Sequence, residues 1–335
     1  MVTLITGAGL IGSHVARLLL ARGEPAVLFD VHPNRAAIGS VVDLESVGLI
    51  QGDIEDAEAL DCVLREHRIN RIVHTAALLT AGILPDIPRG VRTNIVGTVM
   101  LLDAARRASV GRVVLTSSST LYYGLCNQPA SAPVPEDFAM RVISQRPGSI
   151  YAATKLAVEH FGLLYFDQFG LDVVVVRPAG VLGLWPGGTG GVTGRLMRAL
   201  LEPAIRGRTS VIEDPAFVWK GGDEFVDARD AASGLVAALF AERPVGRVYS
   251  VGMGVLHSFE DFLQAARHVV PGLRVDTRVE PKGGFSGFQF ERSQPSDIGA
   301  AKRDLGWAPQ YDLTAAIKNC ATFLTGAALA NSPES

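Results

Sequence analysis

Thr6-Gly7-Ala8-Gly9-Leu10-Ile11-Gly12, directly after the β-branched run Val2-Thr3-Leu4-Ile5, is the stretch that decides how this chain is read. An apolar run, a Gly-x-Gly-x-x-Gly turn and an amphipathic continuation predict a strand, a tight loop and the start of a helix. Glycines at those positions let the backbone turn sharply and approach a ligand at the helix N-terminus, where unpaired N–H groups favour a pyrophosphate. The pattern alone is common. It gains weight from Asp30, which closes the next apolar run about 20 residues on, where a carboxylate accepts hydrogen bonds from a ribose 2′-OH and repels a 2′-phosphate. NAD is therefore expected rather than NADP, although Arg35 follows closely. Gly7, Gly9, Leu10, Ile11, Gly12 and Asp30 are the first cofactor candidates.

Outward from this turn, further apolar runs at 26–30, 48–52, 71–75, 112–117 and 172–177 alternate with amphipathic stretches at 13–22, 57–66, 97–108 and 152–170. The runs are nearly continuous in apolar character, as parallel strands covered on both faces require. The expected fold is α/β: a doubly wound parallel Rossmann sheet over about residues 1–180, followed by a smaller mixed α/β C-terminal substrate lobe over 181–330, some of whose segments return to the first domain. Gly187-Gly188-Thr189-Gly190-Gly191, Gly221-Gly222 and Gly283-Gly284 punctuate that second part. Asp53-Ile54 follows the third run, where it can meet an adenine or serve as a plain turn. His74-Thr75-Ala76-Ala77 closes the fourth, and the small Ala76 and Ala77 leave room for a cofactor while His74 reads as structural.

Composition excludes several functions. The 335 residues are 48% hydrophobic and 19% charged with a net charge of −3, and no basic cluster suggests a nucleic-acid partner. Cys62, Cys126 and Cys320 lie far apart without CxxC spacing, so neither a disulfide framework nor a metal site is expected. The first residues read as a strand rather than a signal peptide, and no apolar run approaches the length of a membrane span. A cytoplasmic enzyme acting on a small polyhydroxylated molecule is the expectation.

The chemistry is expected at Tyr151-Ala152-Ala153-Thr154-Lys155, which places a phenol and an ammonium four residues apart, on one helix face. A nearby lysine and a cationic nicotinamide both favour phenolate, which then takes a proton from a substrate alcohol while hydride leaves. Thr116-Ser117-Ser118-Ser119 closes the fifth run at the sheet edge where ligands bind. Ser118 is the first choice for orienting the substrate oxygen and Ser119 the alternative. Tyr122 and Tyr123 follow, readable as pocket wall or as core.

So assembled, the sequence resembles the extended short-chain dehydrogenase/reductase family, the NAD-dependent epimerase/dehydratase group that includes nucleotide-sugar epimerases. The resemblance covers nearly the whole chain. It rests on residues 6–12, Asp30, Asp53-Ile54, His74 to Ala77, Asn94 with Gly97-Thr98, Thr116 to Ser118 and Tyr151-x-x-x-Lys155. Arg177-Pro178, Phe225-Val226-Asp227 with Asp230, and Leu305-Gly306-Trp307 with Pro309 extend it. It implies Ser118, Tyr151 and Lys155 as the catalytic set, Lys155 and Tyr151 also touching the cofactor, and Asn94, Thr116 and Pro178 as further cofactor residues. It also implies a homodimer built as a four-helix bundle from the helices after Asn94 and from Tyr151. The chain departs from the group in having Ser117-Ser118 where dehydratases carry Asp-Glu, Ala179 where nucleotide-sugar enzymes carry Asn, and Asp223-Glu224 where they carry an Arg that grips a diphosphate. The leading expectation is accordingly an NAD-dependent oxidoreductase acting on a secondary hydroxyl of a sugar-like or hydroxy-acid substrate. Trp185, Arg195, Arg292 or the 187–191 loop would hold that substrate, although each also reads as surface or packing. The alternative is a nucleotide-sugar epimerase that passes through a 4-keto intermediate and recycles NAD; a non-catalytic NAD-binding scaffold is the third reading.

Overall fold

Val173-Val174-Val175-Val176 is buried completely, which a strand achieves only in the middle of a sheet covered on both faces. The computed structural model, which describes residues 1–125, 133–135, 149–186, 188, 191–288 and 291–330, places it there. Strands β1 (Val2–Thr6), β2 (Ala26–Asp30), β3 (Gly48–Gln51), β4 (Ile69–His74), β5 (Arg112–Thr116), β6 (Val173–Pro178) and β10 (Val248–Val251) form one seven-stranded sheet in the order β10-β6-β5-β4-β1-β2-β3. Every pairing in it is parallel. Helices α1 (Leu10–Ala21), α9 (Ala228–Phe240) and α11 (Gly299–Leu305) cover one face, and α3 (Ala57–Glu66), α6 (Gly97–Arg107) and α7 (Ile150–Phe169) the other. The short α2 (Arg35–Gly39) follows β2 and is capped by Asn34. The chain leaves β1 in both directions, to β2 on one side and later to β4 on the other. That reversal opens a crevice at the C-terminal ends of the strands.

Two features depart from the sequence reading. The helix expected from residue 97 begins earlier: α4 (Thr80–Ile83) and α5 (Ile87–Val91) lead into a π-helical turn, Arg92–Val96, which runs on into α6. Wide turns of this kind leave no signature in apolar periodicity. Residues beyond 181 also divide between two places, since α9 and β10 complete the Rossmann layers. The remainder, with β7 (Gly180–Leu182), α8 (Val192–Ile205), β8 (Ser210–Ile212), β9 (Phe225–Asp227), α10 (Phe259–Val269), β11 (Val275–Thr277) and α12 (Leu313–Ala330), packs around a second core. Trp219 is its centre, meeting Phe225, Phe259, Phe262 and Phe285 edge-on at 5.0–5.8 Å. β7 pairs with β9, and β8 with β11, in two small parallel sheets.

Candidate active site

A cleft of about 640 Å³ follows the crevice from β2 across to β6 and on into the second lobe. Gly7 sits at its floor with φ of 90°, and a Cβ there would lie 2.5 Å from the Ala76 nitrogen; a Cβ on Gly12 would lie 2.0 Å from the Gly7 carbonyl oxygen. No larger residue fits either position, so the spacing read from sequence follows from steric closeness of β1, α1 and the end of β4. No side chain caps α1, which leaves the first-turn N–H groups of Leu10 and Ile11 at the cleft lining. Asp30 closes β2 with its carboxylate accepting from the Ala8 N–H at 2.7 Å and the His32 N–H at 2.8 Å. It therefore braces the glycine loop as well as facing the cleft, a role the sequence did not disclose.

Asp53, Ile54, Ala76, Ala77, Thr116 and Pro178 line the same cleft, with the Thr116 hydroxyl buried and unpartnered among the described residues. An uncapped helix N-terminus, a carboxylate at the end of β2 and a glycine floor with no room for side chains fit a dinucleotide. Asn94 is not among the residues that line the cleft. From the π-helical turn its side chain takes the Leu78 N–H at 2.7 Å and gives to the Leu78 carbonyl at 2.9 Å and to Thr154 at 3.1 Å. It fixes the cleft-lining backbone at Leu78 from behind. His74 is structural as read: buried between Thr6 at 2.6 Å and Thr98 at 2.9 Å, with burial and the charge of Lys155 pushing its pKa down to about 3.

Ser149 caps α7 by accepting the Ala152 N–H at 3.0 Å, which sets the helix start so that Tyr151 and Lys155 share the face turned to the cleft. Lys155 Nζ donates to the Thr116 carbonyl at 2.7 Å and lies 5.7 Å from the centre of the Tyr151 ring. Ser118 lies on the same cleft lining as Tyr151, near enough to pull the phenol pKa down. Ser118 is thus the serine that acts on the phenol, Ser119 being a buried neighbour on the lining. Burial pushes the Tyr151 phenol up to about 12, against a smaller opposing pull from Ser118. It pushes the Lys155 ammonium down to about 8, opposed by the charge of Glu159. Both shifts disfavour the charged form of the group they act on, as burial of a phenol and of an ammonium must.

Tyr122 belongs to the core and not to the cleft wall, its hydroxyl meeting Ser250 at 2.7 Å. The Tyr123 side chain, Cys126, Gly187, Thr189 and Gly190 lie outside the described residues. On the substrate side, Trp185 and Arg195 line the cleft; Arg195 is held by Asp214 at 3.2 Å and lies over Phe217. Arg292 turns inward and does not line the cleft. Of the acid pair, Asp223 faces the cleft whereas Glu224 is fully buried, accepting from Arg292 at 2.6 Å, from the Ser296 hydroxyl at 2.6 Å and from the Gly254 N–H at 2.8 Å. Sequence reading missed Leu78 to Ala81 and the Phe285-Ser286 segment on this side. The first directly continues His74 to Ala77 and was within reach; the second comes from far along the chain and carries no motif.

Fold and crevice together define a dinucleotide-dependent α/β oxidoreductase. Residues 3–252 match the model of the NAD dependent epimerase/dehydratase family, and the chain belongs to that family. It is an NAD-dependent enzyme of the extended short-chain dehydrogenase/reductase type. It is 33% identical to the UDP-glucose 4-epimerase of Mycolicibacterium smegmatis over 96% of this chain and 98% of that one. Among solved structures, Thermus thermophilus UDP-glucose 4-epimerase in complex with NAD superposes with a TM-score of 0.80 at 26% identity, covering 98% of this chain and 100% of the other. UDP-glucose 4-epimerase from Stenotrophomonas maltophila, with bound NAD and formylated UDP-arabinopyranose, gives 0.80 at 27% identity, covering 98% and 99%. Among the described residues no group of His, Cys, Asp and Glu could hold a metal ion, and no helix is long and apolar enough to cross a membrane.

Proposed function

We propose that the protein is an NAD-recycling epimerase that inverts a secondary alcohol centre of a nucleotide-linked sugar. The observation that carries this reading is the grouping of buried Tyr151 and Lys155 with the half-buried Ser118 at the β5–β6 end of a cleft that continues into the second lobe. Similarity to UDP-glucose 4-epimerases along nearly the whole chain makes the epimerase the better of the two outcomes the same residues allow. Residues 1–180 are assigned to the cofactor and 181–330 mostly to the substrate. Asp30 at the end of β2 would hold the adenosine ribose, and the residues at the ends of β5 and β6 would hold the nicotinamide. When bound, NAD would supply the acceptor and then the donor of the hydride at the alcohol carbon. Tyr151 removes the hydroxyl proton and gives it back, Ser118 hydrogen-bonds the substrate oxygen, and Lys155 favours the phenolate and contacts the ribose.

A second reading, net oxidation of a smaller polyhydroxylated molecule or hydroxy acid, is favoured by Asp223 on the substrate wall and by the engagement of Arg195 with Asp214. One experiment separates them: quantify the nucleotide that co-purifies, then follow UDP-glucose and UDP-galactose by chromatography alongside the absorbance of reduced cofactor. Interconversion of the two sugars without accumulating NADH supports the epimerase. NADH release with a small polyol or acid, and no inversion, supports the second reading. The homodimer is proposed on α6 and α7, where Phe161, Leu164 and Phe169 with the neighbouring Val96 are 37–54% exposed.

A further inference from the structure

A chain of buried polar side chains runs behind the cleft. Glu159, one turn beyond Lys155, is 2% exposed and accepts from Arg177 on β6 through both oxygens, Nε to Oε1 at 2.7 Å and Nη2 to Oε2 at 2.6 Å. The same carboxylate accepts the hydroxyl of Ser117, the chain neighbour of Ser118. Arg177, 1% exposed, gives a third hydrogen bond to the Tyr122 hydroxyl at 3.2 Å. The Tyr122 ring has two guanidinium groups near it, Arg177 at 5.5 Å and Arg292 at 5.4 Å from its centre. Arg292 in turn holds Glu224 and lies 3.7 Å from Asp223 on the cleft wall. Replacing a buried ion pair with apolar residues of the same volume is often neutral or favourable, so stability alone does not account for this one. Its position does. The pair joins the turn of α7 that carries Lys155 to β6, through Arg177, and to Ser117 just past the end of β5, the neighbour of Ser118.

We propose that Glu159 and Arg177 are positioning residues for the chemical step: their ion pair, with the Ser117 hydroxyl on the same carboxylate, ties the turn of α7 that carries Lys155 to the Ser117–Ser118 strand end and holds both in place. Tyr122 and Arg292 connect this lock to Asp223 at the substrate wall. The inference rests on the reading of Ser118, Tyr151 and Lys155 as the chemical group. The groups facing Lys155 are Tyr151 and Glu159 from α7, the Thr116 carbonyl from β5, and His74 from β4, which burial keeps neutral; Arg177 on β6 is engaged by Glu159. Glu159 therefore supplies the negative charge that offsets the burial of the ammonium. Removing it also leaves the Arg177 charge unbalanced, which disfavours the ammonium in the same direction.

The test is Glu159→Gln, checked for folding by thermal melting and for NAD affinity by calorimetry. Lys155 deprotonation is read without substrate, as the pH dependence of its acetylation by acetic anhydride followed by peptide mass spectrometry. The midpoint should fall by about one unit, the interaction of one charge across one helical turn at an effective dielectric of about 20–40. Turnover should fall at least about tenfold while KM and the NAD dissociation constant stay within about threefold. An unmoved Lys155 midpoint in folded Glu159→Gln overturns the proposal. Should that variant not fold, Ser117→Ala, which removes one hydroxyl and keeps the ion pair, decides: kcat about fivefold lower at unchanged KM supports the proposal, and full kcat overturns it. Because the midpoint needs no substrate, a failure to turn over UDP-sugars counts against the epimerase reading and leaves this result standing.

Discussion

Lys155→Met removes the ammonium from beside the phenol while keeping an unbranched apolar stem, and its effect can be worked from the structure. Without cofactor, burial holds the Tyr151 phenol at about 12, so at neutral pH the base form is scarce. Lys155 Nζ stands 5.7 Å from the ring centre, and at an effective dielectric of about 20 one charge at that distance is worth about 3 kcal/mol, or about two pH units. A cation favours the phenolate and lowers the phenol pKa; taking it away raises that pKa. The active base is present above the pKa and lost below it, so the acidic limb of kcat should move up by about two units and activity at neutral pH fall about a hundredfold. The assay is an ultraviolet difference titration of phenolate in NAD-saturated protein, with Tyr151→Phe as the blank, beside a pH profile of kcat. Saturating NAD removes any loss of ribose contact from the comparison. A Tyr151 midpoint that does not move between wild type and Lys155→Met would refute the electrostatic role of the lysine.

Tyr151→Phe should cut turnover at least about a hundredfold and leave the NAD dissociation constant unchanged in calorimetry; activity close to wild type removes the proposed base. Asp30→Ala takes away the acceptor for the Ala8 and His32 N–H groups as well as the proposed ribose contact, so NAD affinity should drop by about ten- to a hundredfold and discrimination against NADP should narrow, both read by titration. In Gly12→Ala the new methyl meets the Gly7 carbonyl oxygen at 2.0 Å, and because both partners are backbone the loop must shift; NAD binding should be lost in a protein that still melts cooperatively. Leu164→Asp, on the exposed face of α7, should convert a dimer to a monomer in light scattering, and an unchanged mass would place the subunit contact elsewhere.

What was legible in the sequence was what local chemistry determines. The β-branched runs gave six strands of the central sheet to within two residues, because the strands in the middle of the sheet are covered on both faces and apolar at most positions. The glycine turn and the Tyr-x-x-x-Lys spacing were legible because each is a constraint between residues close in sequence. The π-helical turn at Arg92–Val96 was not, nor were the contacts it gives Asn94 with Leu78 and Thr154. Glu159 carries no motif of its own: its importance comes from Arg177, eighteen residues later in sequence and on the neighbouring strand. Phe285 and Ser286 reach the cleft only through the packing of the second core around Trp219.

Charge is where sequence reading was least reliable, and the acid pair at 223–224 shows why. Read along the chain, Asp223-Glu224 stands as two negative charges where a diphosphate grip would be, an objection to nucleotide-sugar substrates. In the fold the two side chains part company. Glu224 is fully buried and bound by Arg292, Ser296 and the Gly254 N–H, so its charge is balanced away from the cleft. Asp223 alone faces the substrate side, and the same arginine lies 3.7 Å from it. One guanidinium thus serves both carboxylates, and the group carries one net negative charge where the sequence implies two. The strongest sequence argument against a nucleotide sugar is thereby weakened by a contact nearly seventy residues away in the chain, in the direction already indicated by similarity to UDP-glucose 4-epimerases.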